Sequence, residues 1–274
     1  MGATFVTGSP HPSLRGVVLR YEGFAQKTPG PVVIRELPGT FVPVIIDLDA
    51  GWTVADGRRP QSQIRLDSFV AGLTDGPVLV GHGGSARCLQ IDLTVLGARR
   101  LLGVPMNELA NLSVPLEDVL GRTAVQFVQR VGEAPDWPTR FSLIDEAIQS
   151  RLAQAPIVEP DIAWSIRQVV DSGGTTPIAH LADELGWSHR KLIARFRDVV
   201  GLPPKRVARI ARFERLTAML ADGAALDWAG AATECGYFDQ AHLAREVRDL
   251  AGLTPTELRA AGVNFVQDEA MLPA

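Results

Sequence analysis

Two short segments of the chain place cations where a polyanion could be read. In His189–Gly201, Leu192, Phe196 and Val199 fall at i, i+4 and i+7 and define an apolar face. At about 100° per residue the opposite face carries Arg190, Ala194 and Arg197, flanked by Ile193. In Gln240–Gly252 the apolar face is Leu243, Val247 and Leu250, and Ala241, Arg245 and Arg248 point the other way. An arginine so placed can bond both acceptors of a guanine edge in the major groove, and neighbouring basic residues can contact phosphates. Any one arginine on a helix surface is as readily a solvated charge. The arrangement occurring twice is what carries the reading. His189 and His242 lie on the same two helices, where phosphate contact and plain surface exposure are equally good readings.

The elements that would hold these residues are also duplicated. One unit is Ile178–Ser188 followed by His189–Gly201; the other is Trp228–Asp239 followed by Gln240–Gly252. In each, an alanine stands four residues before a glycine, Ala182 before Gly186 and Ala232 before Gly236. Two helices that cross closely want a small residue at the contact, and the tight turn between them suits glycine, which tolerates left-handed backbone angles. Ser188 and Asp239 are N-cap residues for the second helices, and Gly201 and Gly252 end them. The spacing therefore predicts two helix-turn-helix units.

Net charge is −4 over 274 residues, which speaks against a general nucleic-acid binder. Locally the balance reverses. From Trp187 to Arg215 there are nine basic residues, including Lys191, against two acidic ones, a candidate phosphate footprint. Pro203-Pro204 opens a helix whose stripe of Val207, Ile210, Phe213, Leu216 and Leu220 runs to about Ala221. At 1.5 Å per residue it spans roughly 28 Å. Successive major-groove windows on one face of DNA lie about 34 Å apart. A rigid helix of this length can hold two recognition helices over adjacent grooves.

Residues 160–262 resemble the DNA-binding domain of the AraC/XylS family of bacterial regulators. The most specific stretch is Gly236, Tyr237, Asp239, Gln240, His242, Leu243 and Arg245, ending in Gly252, Thr254 and Pro255. The resemblance implies an all-α domain of seven helices, with bases read by Arg190, Ile193 and Ala194 from one unit and by Gln240, Ala241 and Arg245 from the other. Ile193 and Ala194 can offer only apolar contact. Arg99–Gly121 is similar to the N-terminal domain of one subgroup of these regulators, which implies effector binding, dimerisation or both.

The rest of the chain reads as β-rich. Val- and Ile-rich runs at Gly16–Phe24, Phe41–Asp49, Pro77–Gly81 and Ala86–Leu96, separated by Pro and Gly, predict a small barrel or sandwich. Flanking helices are predicted at Leu116–Val131, Phe141–Leu152 and Asp161–Asp171, with a boundary near Pro156 and Pro160. The expected fold is α+β: a β-rich domain over 1–155, the double helix-turn-helix domain over 160–262, and a tail over 263–274. Neither a signal peptide nor an apolar span of 18 residues is present, so a cytoplasmic location with no membrane contact is expected.

Other chemistry is less well supported by the residue pattern. His82 in Gly81–Gly84 has no second ligand at metal spacing, so no metal or cofactor is expected. Cys88 reads as core rather than redox sensor, and Cys235 as buried before the second turn. Trp52 and Trp137 read as core before pocket lining. A cupin-like or DNA-repair enzyme with a DNA-binding tail is the rival reading, but no nucleophile–base pair or ligand cluster supports it, and no catalytic residue is assigned. The expected partners are double-stranded operator or promoter DNA, a small-molecule effector, RNA polymerase and a second copy of the chain. The apolar stripe Phe141, Ile144, Ile148 and Leu152 is the sequence basis for the homodimer.

Overall fold

A computed structural model describes residues 3–221 and 227–261. Ten strands come first: β1 Thr4–Gly8, β2 Val18–Lys27, β3 Val32–Glu36, β4 Phe41–Asp47, β5 Trp52–Asp56, β6 Arg59–Leu66, β7 Phe69–Ala71, β8 Val78–His82, β9 Ser85–Thr94 and β10 Ser113–Pro115. They form two antiparallel sheets, one ordered β1-β2-β9-β4-β7-β10 and the other β3-β8-β5-β6. The expected β-rich half with helices behind it is what the chain builds. Several short strands, β1, β3, β5, β6, β7 and β10, fall outside the runs that periodicity picks out.

The larger sheet shows the period-2 logic clearly. Val44 and Ile46 of β4 and Leu89, Ile91 and Leu93 of β9 join one core on the outer face. Ile45 and Cys88, on the alternate positions, join a second core between the sheets with Phe24, Trp52, Val54 and Phe69. The outer face is covered by α1 (Val95–Leu102) and by α2 (Leu116–Leu120), α3 (Arg122–Glu133) and α4 (Trp137–Leu152). Leu116–Val131 is thus not one helix. Gly121, at φ +74°, breaks it into α2 and α3.

Helix α4 starts at an Asp136 N-cap that accepts from Thr139 N–H at 2.9 Å. Its stripe is spent internally: Phe141, Ile144 and Ile148 are buried against the sheet, with Phe141 stacked on Tyr21. The stripe is therefore no free dimer face. Sequence periodicity cannot tell a helix face that covers its own sheet from one that awaits a second copy.

The helical half comprises α5 Pro160–Asp171, α6 Ile178–Glu184, α7 His189–Val200, α8 Pro204–Ala221, α9 Trp228–Glu234, α10 Gln240–Ala251 and α11 Pro255–Ala261. Among the described residues these make the seven helices the family resemblance implies. Their shared core runs through Ile166, Leu192, Phe196, Phe213, Leu243, Val247 and Leu250, and it takes in Leu73 and Val95 from the β-rich half. The expected tail, 263–274, lies outside the described residues. Among the described residues no helix is long and apolar enough to cross a membrane.

Candidate nucleic-acid interface

The two turns are built alike, bond for bond. At the first, Leu185 N–H donates to Leu181 O, Gly186 N–H to Asp183 O and Trp187 N–H to Ala182 O at 2.8 Å. At the second, Cys235 N–H donates to Ala231 O, Gly236 N–H to Thr233 O and Tyr237 N–H to Ala232 O, again at 2.8 Å. The closing bond spans five residues and satisfies carbonyls that a helix end would leave orphaned. It requires a left-handed residue at the glycine, and Gly186 sits at φ +61° and Gly236 at +77°. Ala182 and Ala232 are buried at the helix contact. Ser188 then accepts from Lys191 N–H at 3.2 Å and Asp239 from His242 N–H at 2.6 Å, opening α7 and α10.

Each second helix turns its apolar residues inward, with Leu192, Phe196 and Val199 buried on α7 and Leu243, Val247 and Leu250 on α10. Arg190, Lys191, Ile193, Ala194 and Arg197 are exposed on α7, as are Gln240, Ala241, Arg245 and Arg248 on α10. His189 is exposed too. Lys191 lays its ammonium over the Trp187 ring, 4.1 Å from the centroid. His242 is placed differently from the others. It is half-buried, its Nδ1 accepts from Phe238 N–H at 3.2 Å, and its ring meets Tyr237 edge-on at 5.5 Å. These contacts make it part of the scaffold of its own helix start. Phe238, 92 % exposed beside it, is a residue the sequence pattern does not single out.

The basic run is less available than its count suggests. Arg195 pairs with Glu159 at 2.9 Å and with Asp198 at 3.2 Å. Arg206 reaches Asp75 at 2.5 Å, and Arg209 joins α8 to α10 through Glu246 at 2.8 Å and Asp249 at 3.0 Å. Arg212 donates to Gly174 O at 2.8 Å, and Arg215 approaches Glu234 at 3.6 Å. More than half of the expected phosphate footprint thus serves internal ties. Sequence counts charges but not their partners, and several partners are distant in sequence.

The β-rich half holds both recognition helices near their C-terminal ends. Arg58 Nη2 donates to Asp249 O at 2.8 Å and Arg35 Nη1 to Ala251 O at 3.2 Å, so two cations cap the negative end of α10. Helix α7 packs on α1 and on the short turn Met106–Glu108, with Arg99 3.8 Å from Asp198. The first turns of both helices, carrying Arg190 and Gln240, stay exposed. In helix-turn-helix readers these are the turns that reach base edges.

A second feature lies between the sheets. A cavity of about 100 Å³ is lined by residues of both, among them Glu22, Phe24, Glu36, Trp52, Phe69 and Cys88. Trp52 is therefore a cavity wall as well as core. Trp137 is elsewhere, stacked near Phe141 with the Arg140 guanidinium 5.1 Å from its ring centroid. His82 is buried against Gln26 at 2.9 Å, and burial holds it below the ordinary histidine range. Burial pushes the Cys88 thiol well up, which keeps it protonated. Cys235 is buried beside Met219. Among the described residues no group of three or more His, Cys, Asp or Glu could hold a metal ion.

Known proteins resemble the chain in one segment by sequence and over most of its length by structure. Residues 181–261 match the family described as "Helix-turn-helix domain". No curated protein matches. Among solved structures, ToxT from Vibrio cholerae O395 is similar at 10 % identity and a TM-score of 0.49, covering 88 % of this chain and 96 % of that one. An unsaturated fatty acid-bound ToxT from Vibrio cholerae strain SCE256 aligns at 11 % identity and a TM-score of 0.47, over 91 % and 96 % of the two chains. The AraC-like transcriptional activator CuxR aligns at 14 % identity and a TM-score of 0.25, over 81 % and 88 %.

Proposed function

We propose, from the premise that residues 181–261 are a helix-turn-helix domain of the AraC type, that the chain is a sequence-specific transcription regulator controlled by a small molecule in its β-rich half. The observation that carries this reading is the duplicated turn, which leaves the first turns of α7 and α10 exposed on a scaffold joined by one helix. Helix α8, 18 residues long, spans about 27 Å at 1.5 Å per residue. That suits two grooves on one face of DNA.

In this reading Arg190, Arg245 and Gln240 bond base edges, and Ile193, Ala194 and Ala241 make apolar contacts. His189, Lys191, Arg197 and Arg248 contact phosphates. His242 supports the start of α10 rather than the DNA. The cavity between the sheets is the effector site. Residues 1–155 form the effector domain and 160–262 the DNA-binding domain, in a cytoplasmic regulator that works as a homodimer and engages RNA polymerase.

The test is selection of bound genomic fragments by the purified full chain, followed by footprinting at a stated salt concentration. A site with two protected regions about one helical turn apart supports the reading. Sequence-blind binding overturns it. Light scattering with and without that DNA tests the homodimer.

A further inference from the structure

We infer that the cavity between the two sheets takes a small apolar amine, bound as its cation against Glu22 and Glu36. The inference rests on the reading of this cavity as the effector site and names the ligand's chemistry. Its walls are Phe24, Ile45, Trp52, Val54, Phe69 and their apolar neighbours, so most of any occupant must be apolar. At about 10–15 Å³ of such space per water molecule, the volume holds several waters, or one ring with a short side chain.

The charged side chains that line the cavity are of one sign, and its neutral polar ones are Thr74, Cys88, Gln90 and Ser113. Glu22 of β2 and Glu36 of β3 both line it, from opposite sheets. Among the described residues no hydrogen bond or ion pair reaches either carboxyl. Asp92 of β9 stands beside them, only 2 % exposed, and among the described residues the one cation facing the group is Arg20. Arg20 Nε is committed to Asp92 at 2.6 Å, and Gln90 Nε2 donates to the other Asp92 oxygen at 2.8 Å. The other strands around the cavity, β4, β5, β7, β8 and β10, and the loop residue Thr74 contribute apolar side chains and the neutral hydroxyls of Thr74 and Ser113, none of them charged.

Three ionised carboxyls would face one guanidinium, and in the empty cavity that deficit of positive charge is relieved only by a proton held on Glu36. A carboxylate ligand would bring a further negative charge beside Glu22 and Asp92 in a low-dielectric site whose one guanidinium is already paired. A hydrocarbon would leave both carboxyls without a donor. An ammonium group supplies three donors and the missing charge. Burial, reinforced by the Asp92 and Glu22 carboxylates, raises Glu36 to about 8, so it is mainly protonated at neutral pH when the cavity is empty. Binding the cation then displaces that proton to solvent, and affinity for the amine rises with pH between about 6 and 8.

The experiment uses the full chain with 2-phenylethylamine, 3-phenylpropionate and 2-phenylethanol as probes, read by Trp52-dependent fluorescence and by calorimetry in buffers of different ionisation enthalpy. The expected result is saturable binding of the amine with proton release, and little binding of the acid. Glu36→Gln is expected to weaken the amine about thirtyfold or more and to abolish proton release, and Glu22→Gln to weaken it less. Equal or better binding of the carboxylate or the alcohol overturns the inference. So does amine binding that survives in Glu36→Gln, or absence of binding by phenylethylamine, benzylamine and hexylamine alike. DNA affinity is measured separately with and without each probe. Amine binding with unchanged DNA affinity would sink the regulatory reading and leave the ligand class standing. A carboxylate that binds and alters DNA affinity would do the reverse.

Discussion

Thr40 and Glu214 join the two halves of the molecule through one carboxylate oxygen. The Thr40 backbone N–H donates to Glu214 Oε2 at 3.2 Å, and the Thr40 hydroxyl donates to the same atom. Thr40 sits in the loop between β3 and β4, flanked by Gly39 and Phe41, which line the cavity. Glu214 is on α8, the helix that spaces the two recognition units. In the proposed reading, a ligand that shifts this loop would act on α8 through this contact.

Thr40→Val keeps the backbone donor and removes the hydroxyl. A hydrogen bond to a charged acceptor is worth about 1.5–3 kcal/mol, so denaturant unfolding should show a loss near that size. The effect of a bound cavity ligand on DNA affinity should shrink in the same variant. If stability falls while the ligand's effect on DNA is intact, the contact is only a tie between halves.

Arg245→Ala and Arg197→Ala separate base reading from phosphate contact. Both side chains are exposed, so neither change should alter stability by more than a few tenths of a kcal/mol. Arg245→Ala is expected to cost about 1–3 kcal/mol on the specific site and to relax preference at one base pair. Arg197→Ala should weaken all sequences about equally and reduce the salt slope by about 1. Equal losses on specific and non-specific DNA for Arg245→Ala would remove its base-reading role.

How far the sequence reveals this molecule depends on the range of the interactions involved. The helix-turn-helix units were legible because their determinants are local: Ala182 with Gly186, Ala232 with Gly236, and the caps Ser188 and Asp239 all act within one or two helical turns. The β-rich half was legible only as a class. Its short strands, such as β7 and β10, are defined by pairing with distant partners, and no local period marks them. The pairing of Arg206 with Asp75, 131 positions away, was equally hidden, which is why the phosphate footprint looked larger than it is. The cavity carboxyls were missed for the same reason. Glu22 and Glu36 look like solvent-facing strand residues until the second sheet folds over them.

Arg209 makes the correction to the footprint measurable. It bridges α8 to Glu246, itself largely buried, and to Asp249 on α10. Replacing it by Met leaves the Glu246 carboxylate buried without its cation, for which a loss of about 3–5 kcal/mol is typical. The expected signature is a large drop in stability with an unchanged salt slope of DNA binding at a temperature where the variant is folded. A salt slope reduced by about 1, with stability intact, would return Arg209 to the phosphate-contacting set.

Glu36 gives the folded chain a pH dependence of known sign. Its ordinary value is 4.5 and the folded protein raises it to about 8, through burial first and the nearby Asp92 and Glu22 carboxylates second. Between those values the folded chain keeps a proton that the unfolded chain has released. Stability is therefore greatest below about pH 4.5 as far as this group is concerned, falls as pH rises through the window, and levels off above about 8. The slope cannot exceed about 1.4 kcal/mol per pH unit for one proton. Glu22 is also raised by burial and acts in the same direction, so the total curve mixes the two. The difference between wild type and Glu36→Gln isolates Glu36, because glutamine has nearly the same shape and does not ionise. In denaturant titrations the variant should gain on the wild type steadily from pH 5 to 8, and the gap should stop growing above that. A constant gap across the range would mean that Glu36 titrates normally, and that the cavity is wetter and better compensated than its apolar walls imply.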